Sequence, residues 1–231
     1  MPALVLWDID GTLLKGNHVA MTAFNRALQE IYELQEAPAR IEYGGKTDSQ
    51  IVLEVLGLHD IAEAAALDRM ERFHERYVDY VRHEFDQLSA GIQVLPGVHA
   101  VVDALAEAGA LQSVLTGNLR PTAELKLHAA GLSERLDLNV GAFGSDHRNR
   151  NELVAIARAR AATCCGVIGD VVVVGDTPRD IACGRAGGAR TIAVATGNWS
   201  VDELRHHQPD VVLPDLSDVA ASVAAILNRA P

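Results

Sequence analysis

The 231-residue chain is short of cysteine, short of positive charge and without a long hydrophobic run, and each shortage excludes something. Its three cysteines, Cys164, Cys165 and Cys183, form neither a C-x-x-C site nor an even disulfide framework, so they read as ordinary buried thiols in a reducing cytoplasm. Twenty Lys and Arg stand against 31 Asp and Glu, a net charge of −11 with no basic stripe. That argues against a nucleic-acid backbone or an anionic membrane as partner. No apolar stretch approaches the ~18 residues of a membrane span. Met1-Pro2-Ala3 leads directly into an apolar segment, without the basic start and h-region of a signal peptide. Internal repeats and low-complexity tracts are also missing. A cytoplasmic chain is expected, 48% hydrophobic and long enough for one large domain or two modest ones.

Short apolar runs recur at Ala3–Trp7, Leu111–Leu115, Leu136–Val140, Val171–Val174, Thr191–Ala195 and Val211–Leu213. They are too continuous for one-sided sheets and predict parallel strands buried on both faces. Helical patterns separate them. Val98, Val101, Val102 and Leu105 fall at i, i+3, i+4 and i+7 between a Pro96-Gly97 turn and Gly109, and Pro121 and Gly131 bracket a second helix. Leu153, Ile156 and Ala157 mark a third, Pro178 to Ala186 a fourth, and Val219 to Leu227 a last. The alternation predicts a doubly wound α/β sheet, whose ligands sit beyond the carboxyl ends of the strands. Residues 15–93 break it. Ala20 to Leu34 is helical in period, and Leu67, Met70, Phe73, Tyr77, Val81 and Phe85 keep a 3-to-4 spacing. A helical cap over 15–93, inserted into an α/β core of 1–14 and 94–231, is expected to overhang the mouth where Asp8 and Asp10 emerge.

Each strand end offers polar groups: Asp8-Ile9-Asp10-Gly11-Thr12 after the first, Thr116-Gly117-Asn118 after the second, and Gly175-Asp176-Thr177-Pro178-Arg179-Asp180 after the fourth. Clustered carboxylates repel. Oxygen ligands without Cys or His point to a hard divalent cation, most simply Mg²⁺, to offset that repulsion. A carboxylate there can attack phosphorus, splitting one hard hydrolysis into two displacements through an aspartyl-phosphate. Asp8 is the candidate nucleophile, and Asp10 the acid for the leaving oxygen and then the base for water. Thr116 and the N–H groups of Gly117 and Asn118 are candidates to hold the phosphoryl oxygens.

These motifs, in this order and at strand ends, resemble the haloacid dehalogenase (HAD) superfamily. The phosphatase branch with a helical C1 cap after the first motif, typified by phosphoglycolate phosphatase-like enzymes, fits best. The resemblance covers essentially the whole chain; the Asp8-x-Asp10-Gly11-Thr12-Leu13 motif is highly specific and Thr116-Gly117-Asn118 weak alone. It implies a Rossmann-like core and a phosphoric monoester hydrolase acting on a small phosphorylated metabolite. It further implies Asp8 as nucleophile and metal ligand, Asp10 as acid/base and backbone-carbonyl ligand, Thr116 for phosphate, Asp176 for metal and Asp180 for the metal shell. One departure matters. The family usually places a Lys before the helix preceding the last motif, and "SDHRNRNELVAIA" has none. Arg150 or Arg148 stands there, and Arg150, with the forked geometry of a guanidinium, is taken as the replacement; the alternative is that Lys46 or Arg179 moves in.

Other readings compete. A phosphosugar mutase of the β-phosphoglucomutase kind would share Asp8 and Asp10 and differ in the phosphoryl acceptor. A halide-releasing dehalogenase generally lacks the second Asp. A non-catalytic anion-binding module on the same fold leaves the clustered carboxylates without a use. Asp8-x-Asp10 alone could be the metal pair of a nucleotide-sugar transferase, but it arrives eight residues in. Gly45-Lys46-Thr47 imitates a P-loop, yet Arg40 occupies the required Gly position. The polar stretch Tyr43 to Asp48 is expected to face the mouth, where Lys46 is a candidate phosphate contact. His147, His206 and His207 match no zinc spacing and read as surface residues, and Trp199 as a contact to substrate or cap. The chain is expected as a monomer or homodimer.

Overall fold

The computed structural model describes residues 1–36, 38, 41–166 and 168–228. Residues 37, 39, 40, 167 and 229–231, which fall within the ranges expected for the cap and the core, lie outside the described residues. In chain order the elements begin β1 (Leu4–Trp7), β2 (Leu14–Lys15), α1 (Val19–Tyr32), α2 (Asp48–Gly57), α3 (Glu63–Asp68), α4 (Met70–His83), α5 (Phe85–Gly91) and β3 (Gln93–Val94). They continue with α6 (Val98–Glu107), β4 (Leu111–Val114), α7 (Arg120–Ala129), α8 (Leu153–Cys165), β5 (Val171–Gly175) and α9 (Pro178–Ala186), then β6 (Arg190–Val194), α10 (Val201–His206), β7 (Val211–Leu213) and α11 (Val219–Ile226).

Five parallel strands form one sheet in the order β4-β1-β5-β6-β7. Along β1, side chains alternate between two cores. Val5 and Trp7 pack with Val98, Val101, Leu105 and Ile226 on one face. Leu4 and Leu6 pack with Leu153, Val154 and Ala157 on the other. Fully buried side chains of this size contribute roughly 1.5–3 kcal/mol each, so the two-sided burial fixes β1 as the spine of the sheet. Its carboxyl end is held between β4 and β5.

Between β2 and β3, which pair antiparallel where the chain leaves and rejoins the core, lie α1 to α5. Phe24 of α1 meets Phe73 and Tyr77 of α4 edge-on at 5.0 and 5.3 Å, and Leu119 of the core joins the same apolar cluster. The single long helix expected from Leu67 to Phe85 is broken at Arg69 and Glu84, whose backbones leave the helical region. Arg69 Nη1 donates to the Ile31 carbonyl at 3.1 Å at the end of α1, and Leu67 is left 44% exposed rather than buried.

The strand expected at Leu136–Val140 is a turn. Asn139 N–H bonds the Asp137 side chain at 3.0 Å and Ser113 Oγ donates to the Asp137 carbonyl at 2.6 Å, so local polar bonds replace the ladder while Leu136 and Val140 remain buried. Two further expectations change. Cys164 and Cys165 end α8 exposed, and only Cys183 is a buried thiol. Trp199 packs edge-on against His207 at 5.7 Å, in a small cluster with Ile181, Ala193 and Leu204, instead of reaching the cap. No helix among the described residues is long and apolar enough to cross a membrane.

Candidate active site

β1 delivers Asp8 into the floor of a cleft. The chain then turns through Gly11, whose φ of +91° favours glycine, and a Cβ there would lie 2.5 Å from Asp176 Oδ2. A Cβ on Gly197 would come within 1.8 Å of the same oxygen. Both glycines thus leave room for Asp176, which emerges from β5 and accepts from Thr12 Oγ1 at 3.2 Å. Asp180 sits in the first turn of α9, locked by a reciprocal capping box with Thr177. Asp8, Asp176 and Asp180 each bring a carboxylate oxygen within 4.8 Å of the others. All three are buried.

Arg150 opens a short 3-10 turn, Arg150–Glu152, capped by Asn149, and reaches into this cluster. Its Nη2 donates to Asp8 Oδ1 at 2.7 Å, to Asp180 Oδ1 at 2.5 Å and to the Leu115 carbonyl at 3.2 Å. The contact is not the forked one that the sequence suggests: one nitrogen makes all three contacts and the buried Nε has no partner among the described residues. Arg148 points away and pairs with Glu63 at 2.6 Å, while Arg179 donates to the Gly44 carbonyl at 2.9 Å. Of the three candidate arginines, only Arg150 touches the cluster.

Burial and the neighbouring Asp180 push the Asp8 carboxyl well above the usual range, against the pull of Arg150. Burial and Asp180 raise Asp176 to about 7, tempered by Thr12. A carboxyl near 3.9 in the unfolded chain and near 7 in the fold keeps its proton only in the fold between those values. Metal-free protein should therefore lose stability as pH rises from about 4 to about 7, by on the order of 4 kcal/mol from Asp176. Melting curves in EDTA at pH 5 and pH 8 check this. Equal melting temperatures would contradict it.

Asp10, two residues on, faces the other way. Its Oδ1 and Oδ2 accept from Lys126 Nζ at 2.8 and 2.7 Å, and Oδ2 also from Asn118 Nδ2 at 2.7 Å. Partial burial pushes its carboxyl up, but the Lys126 ammonium outweighs that and holds it below the ordinary value. Its side chain is therefore absent from the metal-type carboxylate cluster, leaving only its backbone carbonyl for the ligand role implied by the family resemblance. Asn118 ties the pair to Thr116, its Nδ2 donating to Thr116 Oγ1 at 2.7 Å and its Oδ1 accepting from Lys126 at 2.8 Å. Lys126 escaped the sequence reading. A signal existed: the chain has only three lysines, Lys15, Lys46 and Lys126, and the last sits eight residues after Asn118 on the helix leaving the same strand end.

The loop 43–48 brings the cap onto the core. Asp48 N–H donates to the Gly117 carbonyl at 2.8 Å, Leu119 N–H donates to Asp48 Oδ2 at 2.8 Å, and Thr47 Oγ1 donates to the Arg148 carbonyl at 2.7 Å. The contact is backbone-tight: a Cβ on Gly117 would lie 1.8 Å from the Lys46 carbonyl. Burial raises Asp48 to about 6, moderated by the Leu119 N–H. Together cap and core line a half-open cavity of about 250 Å³, with Asp8, Asp10, Thr116, Gly117, Asn118 and Arg150 below and cap residues above. Lys46 lines it too, but its ammonium pairs with Glu54, a different partner from the phosphate expected of it.

The family model for haloacid dehalogenase-like hydrolases matches residues 5–194. The chain belongs to that family. Among its relatives it is 27% identical over 219 residues to the pyrophosphatase PpaX of Halalkalibacterium halodurans, covering 93% of this chain and 95% of that protein. It is also 27% identical over 199 residues to the phosphoglycolate phosphatase of Rhodospirillum rubrum, with coverage of 85% and 81%. A hydrolase structure from Pseudomonas syringae shares the fold of this HAD-family enzyme at a TM-score of 0.70 and 19% identity, covering 98% of this chain and 99% of that one.

Proposed function

We propose that this HAD-family hydrolase is a Mg²⁺-dependent phosphatase that cleaves a small phosphate monoester through phospho-Asp8. The observation that carries the reading is the convergence, on the floor of a half-open cavity, of Asp8 with Arg150 and two further buried carboxylates. An all-oxygen donor set of Asp8, Asp176 and Asp180, with space for Asp176 kept open by Gly11 and Gly197, suits Mg²⁺. The Asp10 backbone carbonyl completes the assignment. When bound, the ion would offset the acidic charge and polarise the phosphoryl group.

The chain's own residues account for the rest. Asp8 forms a bond to phosphorus as the ester P–O bond breaks, and the leaving oxygen takes a proton from Asp10. Water then attacks phosphorus, gives its proton to Asp10 and releases Asp8 with inorganic phosphate. Lys126 and Asn118 aim Asp10 at the mouth and favour its ionised form, which the second step needs, and the proton that Asp10 takes from water in that step is the one it gives to the leaving oxygen in the next turnover. Thr116 and the Gly117 N–H hold the phosphoryl oxygens and Arg150 balances their charge, whereas the Asn118 N–H, also expected there, donates to Thr116 Oγ1 at 3.2 Å. The cap roofs the half-open cavity and limits the water that reaches its floor. The relatives' names make pyrophosphate and phosphoglycolate the anionic compounds against which the substrate preference is to be measured.

Hydrolysis of p-nitrophenyl phosphate tests the reading without demanding the physiological substrate. Turnover is expected with Mg²⁺ and lost in EDTA. Activity unchanged by EDTA would overturn the metal assignment, and no activity with Mg²⁺ would overturn the phosphatase.

A further inference from the structure

The floor and the roof of the cavity differ in chemistry. Below lie the groups that handle a phosphoryl group. Above, Ala20, Met21 and Phe24 of α1, Ile51 of α2 and Tyr77 of α4 present mainly apolar surface. The cations within reach of this roof are already engaged. Lys46 is held by Glu54, and Lys126 by both oxygens of Asp10 and by Asn118. The remaining charged roof residue, Asp48, is itself acidic, its Oδ2 occupied by the Leu119 N–H. No unpaired lysine or arginine lines the cavity among the described residues. A leaving group bearing its own negative charge would lose part of its water against this roof and gain no cation in return, and desolvating an unpaired charge is costly. The cavity, at about 250 Å³, falls just below the roughly 300–1,000 Å³ typical of pockets for drug-sized ligands.

Building on the phosphatase reading, we propose that the substrate's leaving group is small, uncharged and apolar-faced, an alkyl or aryl alcohol, and that esters whose leaving group carries a second anion are discriminated against. The bond broken is the P–O bond to that group, which departs as the free alcohol or phenol after taking one proton, with water supplying the fourth oxygen of phosphate.

The test compares kcat/KM at saturating Mg²⁺ for phenyl phosphate, phosphoglycolate, pyrophosphate and phosphocholine. Phenyl phosphate is expected to exceed each of the others by at least about tenfold, the discrimination that one unfavourable charge readily supplies. Equal or better use of either anionic substrate, or of cationic phosphocholine, would overturn the proposal while leaving the phosphatase reading intact. Hydrolysis of none of the four would remove both. Glu54→Gln provides an independent check. Glu54 is half-exposed and its loss frees Lys46, so kcat/KM for phosphoglycolate should rise at least about fivefold and that for phenyl phosphate change by less than about twofold. An unchanged ratio would contradict the argument from paired cations.

Discussion

Asp8→Asn is expected to lower kcat by at least about a thousandfold while leaving the protein folded, because the amide keeps the shape of the carboxylate but cannot attack phosphorus. The amide oxygen can still accept from Arg150 Nη2, now 2.7 Å from Asp8 Oδ1. Burial and Asp180 already disfavour a charge at this position, so the metal-free variant should melt no lower than the parent at pH 8. Paired measurements of kcat and melting temperature separate loss of chemistry from loss of structure. A decrease in kcat smaller than about tenfold would mean that another group attacks phosphorus.

Arg150→Met carries the second large effect, on stability as well as rate. It strands Asp8 and Asp180, both buried, without the cation that each now touches. Removing one partner from a buried ion cluster costs about 3–5 kcal/mol, and loss of the charge opposite the phosphoryl group should lower kcat by about a hundredfold or more. Arg150→Lys should behave differently. The Arg150 contacts to Asp8, Asp180 and the Leu115 carbonyl all converge on one nitrogen, and its Nε is buried without a partner among the described residues. An ammonium has three donors and no such orphan, so the lysine variant should stay within about tenfold of the parent in kcat. Urea unfolding and steady-state rates on the two variants check the contrast. If lysine were as damaging as methionine, the guanidinium would matter for more than its charge.

The parts of the fold legible in the sequence are those where periodicity and strand-end chemistry agree. Asp8 and Asp176 each follow a continuous apolar run and Thr116 a mainly apolar one, and a parallel sheet brings such carboxyl ends together without further information. The missed features depend on contacts between distant segments. Leu136–Val140 has strand composition, but Asp137 and Asn139 close a turn that the Gln112 carbonyl and the Ser113 hydroxyl hold from a distant segment, the carbonyl accepting from Asp137 N–H and the hydroxyl donating to the Asp137 carbonyl. The break at Arg69 depends on a hydrogen bond to the end of α1, 38 residues away. Lys126 looks like an ordinary helical lysine until α7 is laid beside β1 and its ammonium meets Asp10. The choice between Arg148 and Arg150 was likewise open, because residues two apart on a turn face different ways and only the tertiary fold says which faces inward.

The claim on which everything else rests is that the phosphoryl group visits Asp8 before water. Stereochemistry at phosphorus tests it most directly, using an aryl phosphorothioate ester made chiral with oxygen-18 and hydrolysed in oxygen-17 water. Two successive in-line displacements give net retention, which is the expected result. Net inversion would show a single displacement by water and contradict the assignment of Asp8 as nucleophile.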